Sequence, residues 1–179
     1  MVSNSAKRVK VLLDNTSKVL KGLGELAETR VMAGIPAEKG VRSEGDTSPI
    51  NNAQLMYIHE NGAPEANIPA RPVVVPGVKS VQGAITKGLA KAGTQAMAGD
   101  LNGMRKSFNA VGIIAQNAMR KRISEGPFEP LSERTLAARR ARGRTGDKPL
   151  IDTGQLRRAL SYVVRKVSWS GKYLTKKWW

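Results

Sequence analysis

The stretch VKSVQGAITKGLAKAGTQAM (78–97), the connector Ala98-Gly99-Asp100 and the stretch LNGMRKSFNAVGIIAQNAMRKRIS (101–124) decide the fold. In the first, Val78, Val81, Ile85, Leu89, Ala92 and Ala96 step by three and four; in the second, Met104, Phe108, Val111, Ala115 and Met119 do the same, with Ile114 and Ile123 beside them. Steps of that size put apolar side chains on one face of an α-helix. Asp100 is a good N-cap, and Gly99 permits the tight turn ahead of it. Two helices joined so closely run antiparallel, and their many Ala and Gly residues favour close approach over large aromatic anchors.

Upstream, residues 5–27 read as a basic amphipathic helix, with Val9, Leu12, Leu13, Val19, Leu20 and Leu23 on a broad face that packs on its own domain rather than on a membrane. Thr29 to Ile35 is a short strand ended by Pro36. Residues 37–50 are charged and Gly-bearing, a loop expected to order against a neighbouring subunit. Asn51 to Asn61 reads as a short capped helix closed by Gly62. Residues 63–75 are punctuated by proline. Arg71 precedes Pro72, so its backbone is held extended, and its guanidinium is expected to be displayed. Val73, Val74 and Val75 follow as an apolar anchor.

Downstream, Gly126-Pro127 ends the second long helix. Ser132 is an N-cap, Glu133 faces the positive end of a helix, and the helix carries Arg134, Arg139, Arg140 and Arg142 before stopping at Gly143. These arginines and Arg144 are expected to face water, acidic protein or phosphate, because an unpaired buried charge costs several kcal/mol or more. Asp152 or Thr153 caps a short turn, and Leu160 to Trp169 reads as a strand. The tail is basic and ends in Trp178 and Trp179, read as an arm that docks in an apolar groove of a neighbouring subunit or ring. The expected fold is α+β: several helices, including a long antiparallel pair, on a small antiparallel β-sheet. The expected division is a basic N-terminal helix (1–28), a main domain (29–169) and a C-terminal arm (170–179).

The 179 residues hold 30 Lys and Arg against 14 Asp and Glu, a formal charge of +16 that attracts nucleic acid or acidic protein. The last third of the chain, residues 119–179, carries more than half of the basic residues and about a third of the acidic ones. Aromatic residues are only 4%, so the core is expected to be thin, as in a subunit completed by its neighbours. The lack of an apolar leader or a run of about 18 apolar residues gives the expectation of a soluble intracellular product without a membrane partner.

With one histidine and no cysteine, thiolate sites, disulfides, multi-histidine zinc sites and most catalytic triads are excluded. His59 reads as an ordinary exposed or capped histidine. Asp152-Thr153-Gly154 matches the aspartic-protease triplet, but in one copy and without a second Asp to share a proton. No phosphate-binding glycine motif is present. The expectation is a non-enzyme with no cofactor and no metal. The basic helix can track a DNA backbone without reading bases, although partner binding is the preferred reading.

Four stretches, in order, carry a further reading: His59-Glu60-Asn61-Gly62, Ile68-Pro69-Ala70-Arg71-Pro72, PLSERTLAARRARG (130–143) and KPLIDTGQLRRAL (148–160). Combined in this order, and from about Thr29 to Val167, the chain resembles the neck and tail-completion proteins of tailed bacteriophages, also called virion morphogenesis proteins. The resemblance implies an α+β subunit of a ring at the head–tail junction, assembled in the host cytoplasm and resident in the virion. It implies structural and interfacial roles, none catalytic, for Arg71, the Arg139 to Arg142 helix, Asp152, Thr153, Gly154, Leu156 and Arg157. The expected partners are copies of the chain, six first and twelve second, then adjacent connector, head-closure or tail-tube proteins. Arg134, Arg139, Arg140, Arg142 and Arg144 are expected to face double-stranded DNA in the channel or an acidic partner. Arg71, Asp152, Arg157, Trp178 and Trp179 are expected at subunit contacts. The N-terminal helix and the two terminal tryptophans depart from the family's pattern. The competing class is a monomeric, basic, non-sequence-specific nucleic-acid-binding protein.

Overall fold

A helix of 25 residues, Leu101–Glu125, is the element on which the others are laid. In the computed structural model, which describes residues 14–42 and 50–167, the order is α1 (Thr16–Glu28), β1 (Thr29–Gly34), α2 (Asn52–Asn61), α3 (Val74–Ser80), α4 (Gln82–Met97), α5 (Leu101–Glu125), α6 (Glu133–Ala141), α7 (Gln155–Ala159) and β2 (Ser161–Lys166). The fold is α+β. The beginning of the expected N-terminal helix, the middle of the 37–50 loop, the end of the expected last strand and the arm with Trp178 and Trp179 lie outside the described residues.

α4 and α5 form the expected antiparallel pair, with Gly99 at φ 76 in the turn and the Asp100 carboxylate accepting from the Gly103 N–H at 2.8 Å. α1 lies on α4 at very short range, because a Cβ at Gly22 would run into the backbone carbonyl of Ala96. β1 and β2 pair antiparallel from Thr29↔Lys166 to Gly34↔Ser161, and both strands lie against α5. The apolar residues form two clusters along α5. One gathers Met56, Val73, Met119, Ile123, Leu156 and Leu160; the other gathers Ala92, Ala96, Met104 and Phe108, with Leu26, Val31 and Val164 closing it from α1 and the sheet.

Two boundaries differ from expectation. The first helix begins at Thr16 among the described residues, where the Asp14 carboxylate accepts from the Thr16 N–H at 2.9 Å. The helix expected over 78–97 is two helices, α3 and α4, broken at Val81 (φ −118, ψ 17). α3 starts four residues early because Glu60 caps it: Oε2 accepts from Val73 and Val74 N–H at 2.6 and 2.8 Å, and Oε1 from Val75 N–H at 2.9 Å. The next residue, Pro76, has no N–H to satisfy, so one carboxylate completes the start of the helix. At the other end, the Ser80 hydroxyl donates to the Gly77 carbonyl at 2.7 Å, a local bond near the break that competes with helix propagation.

Candidate functional site: an arginine-lined groove

α2 opens with a complete capping box. The Asn51 side chain accepts from the Gln54 N–H, and the Gln54 side chain accepts from the Asn51 N–H. It closes at Gly62, whose φ of 77 suits a residue without a Cβ, and a Cβ there would stand 2.9 Å from the Ala70 backbone nitrogen. The chain turns through Pro64–Ala66 and runs back beside the helix, bridged at Ala63↔Ile68, until the Arg71 N–H donates to the His59 carbonyl at 2.6 Å. His59 and Arg71 are thereby set next to each other.

The Arg71 side chain points inward, against the expected display: the residue is 8% exposed, and Nη2 donates to the carbonyls of Glu129 at 3.3 Å and Pro130 at 3.5 Å. These carbonyls belong to the approach to α6, so one guanidinium ties the Ile68–Pro72 segment to the Arg-rich helix. Its Nε is buried without a partner among the described residues. His59 is half-buried rather than exposed, and its buried Nδ1 has no partner among the described residues. Burial first, and the Arg71 charge second, hold its pKa below the usual 6.5.

α6 begins at Ser132, whose hydroxyl accepts from the Thr135 N–H at 3.3 Å. Arg139, expected among the outward arginines, is 8% exposed instead. Its Nη1 lies within hydrogen-bonding distance of three carbonyls, Gly146 at 2.8 Å, Ile151 at 3.0 Å and Lys148 at 3.1 Å. Asp152 stands 3.7 Å from its Nε and also pairs with Arg144. The loop between α6 and α7 is wrapped around this guanidinium. Helical geometry brings the Arg139 side chain to that loop, whereas Arg134, Arg140 and Arg142 remain exposed.

Between α2, the Ile68–Arg71 segment, α6 and the Asp152–Leu156 turn lies a groove of about 1180 Å³. It is larger than the roughly 300–1,000 Å³ of small-molecule pockets, a size suited to a segment of chain. Arg71, Arg139, Arg142, Arg144 and Asp152 line it; Arg134, Arg140 and Arg157 do not. Arg140 stands 3.9 Å from Glu133, and Arg157 donates from Nε to the Ser124 hydroxyl at 3.1 Å. Trp178 and Trp179 lie outside the described residues. Among the described residues there is no group of three His, Cys, Asp or Glu placed to hold a metal ion, and no helix is long and apolar enough to cross a membrane.

The sequence reading missed Glu60 as a cap and His59 as a groove residue. The available signal was an acidic residue at the end of one helix ahead of a Val-Val-Val-Pro run whose N–H groups had no evident acceptor. No family model, no curated protein and no solved structure matches the chain.

Proposed function

We propose that the chain is a structural subunit of the neck of a tailed bacteriophage, forming a ring that completes the tail or joins it to the head connector. The observation that carries this reading is convergence. The four stretches on which the family resemblance rests fall in two regions of the sequence, 59–72 and 130–160, separated by α3, α4 and α5, and all four contribute residues to the walls of one groove. The bonds that join them are backbone carbonyls held by Arg71 and Arg139, which is how a scaffold is fastened rather than how a reacting group is poised. A second support is surface left for neighbours: α1 buries Gly22 against α4 while Leu20 and Leu23 stay 63% and 42% exposed. The outward cations Arg134, Arg140 and Arg142 meet DNA in the channel or an acidic neighbouring ring, and the resident site is the virion.

The test is the mass and symmetry of the purified chain in high salt, which removes associations driven by bulk charge alone. The reading expects a closed ring, six-fold first and twelve-fold second, visible in averaged particle images down the axis. A 19.3 kDa monomer that coats duplex DNA without sequence preference turns the reading to a basic nucleic-acid-binding protein.

A further inference from the structure

We infer that the groove is a docking site for an extended, acidic segment of a partner protein, in which carboxylates interleave with aliphatic side chains. The inference rests on the reading of the chain as an assembly subunit and names the chemistry of what that subunit holds.

Charge is the first argument. Arg71, Arg139, Arg142 and Arg144 line the groove against Glu129 and Asp152, and Asp152 is already engaged by Arg139 and Arg144. The second argument is an unmet demand inside the wall. Arg71 is more than nine-tenths buried, and among the described residues its side chain has only two long carbonyl contacts, no carboxylate in ion-pair range, and an Nε without a partner. A buried guanidinium without a counter-charge is costly, and the buried, unpartnered Nδ1 of His59 adds a second unmet group in the same wall. An arriving carboxylate supplies the missing charge, and guanidinium–carboxylate pairs are among the stronger hydrogen-bonded contacts.

The third argument separates peptide from nucleic acid. Leu55, Ile68, Leu131, Leu150 and Leu156 stand among the cations in the lining, and among the described residues His59 supplies the one aromatic ring there, with no Phe, Tyr or Trp. A phosphate backbone has nothing to place against these aliphatic side chains, and the half-buried ring of His59 offers a base little face to stack upon. A peptide with acidic and aliphatic side chains satisfies both kinds of wall.

The experiment uses the full chain and a fluorescein-labelled hexapeptide of alternating glutamate and leucine, read by anisotropy. A peptide with glutamine in place of glutamate and a short DNA duplex serve as competitors. Two charge-reversed variants carry the test because both positions are exposed and on or beside one helix: R142E alters the groove wall, and R134E makes the same charge change outside it. The expected result is about tenfold weaker binding for R142E, the loss of one charge-assisted contact, with R134E within about twofold of the parent. His59 is the only histidine, so its ring resonances report occupancy of the groove and should move with the acidic peptide. Equal losses in the two variants, equal binding of the glutamine peptide, displacement of the peptide from His59 by the duplex, or no binding at all would each overturn the inference. The mass of the same preparations separates this outcome from the larger reading: a ring that ignores the peptide overturns only the docking site, and a monomer that binds it overturns only the neck assignment.

Discussion

The α4–α5 hairpin and the groove are held together by opposite means. In the hairpin and its contact with α1, side chains are reduced until backbones touch: Gly22 sits against the Ala96 carbonyl, and Ala92 and Ala96 pack with Met104 and Phe108. Around the groove, segments with little regular structure are fastened by long charged side chains reaching backbone groups, Arg71 and Arg139 to carbonyls and Glu60 to amides. The difference teaches how a chain with few aromatics orders its periphery. Burial of apolar area stabilises the helices, at about 25 cal/mol per Å², whereas loops carry backbone polar groups that require a partner when they leave water. Charge in this protein is therefore of two kinds, one consumed by the fold and one left exposed at the surface.

The largest effect on the hairpin side is expected from Gly22→Ala. The added methyl meets backbone rather than a yielding side chain, so α1 must move off α4, at a cost of about 3 kcal/mol. Urea unfolding measures it, and a change below about 0.5 kcal/mol would show that the α1–α4 contact is looser than described. On the groove side, Glu60→Ala strands three amides at the start of α3 and is expected to cost about 2 kcal/mol, with Glu60→Gln recovering part of the loss. If both substitutions are silent, water serves these amides as well as the carboxylate does.

A smaller effect follows from His59. Its folded pKa lies below 6.5, so below that pH the unfolded chain binds a proton that the folded chain refuses, and the unfolded state then holds more protons. Stability should fall as pH drops through 6.5 toward the lower folded value and should be insensitive to this group above it. The slope of unfolding free energy against pH in that window should flatten in His59→Gln; an unchanged slope assigns the dependence to other groups. The smallest effects are expected at Arg134 and Arg140, where alanine should change stability by no more than about 0.5 kcal/mol each.

Local signals explain what could be read before the structure. Asp100 ahead of Leu101, the Asn51-Asn52 pair opening the short helix, Gly62 after Asn61 and Ser132 with Thr135 are all cap signatures whose partners lie within a few residues, and each of these helices is capped there. The β-branched residues of β1 and β2 likewise marked strands, although their mutual pairing, across more than a hundred residues, had no local signature. The inward turns of Arg71 and Arg139 were illegible for the same reason. Their acceptors are the carbonyls of Glu129, Pro130, Gly146, Lys148 and Ile151, and composition makes every arginine look exposed until such loops are placed. The break at Val81 was hidden because apolar spacing continues across it, while the cap that moves the start of α3 comes from Glu60, thirteen to fifteen positions upstream. Within the groove, Arg142, Arg144 and Asp152 were anticipated and His59 was not; outside it, Glu60 was not anticipated as the cap of α3.

The division of the arginines into those the fold consumes and those it presents is tested most directly by comparing two variants in urea unfolding. One is the single substitution Arg139→Ala, and the other is the triple substitution of Arg134, Arg140 and Arg142 to alanine. The single change removes the hub of three loop carbonyls and an ion pair with Asp152, and should cost about 3 kcal/mol or more. The triple change, though it removes three times the charge, should cost less than about 1.5 kcal/mol. A triple variant that loses as much stability as Arg139→Ala, or an Arg139→Ala protein as stable as the parent, would contradict the account.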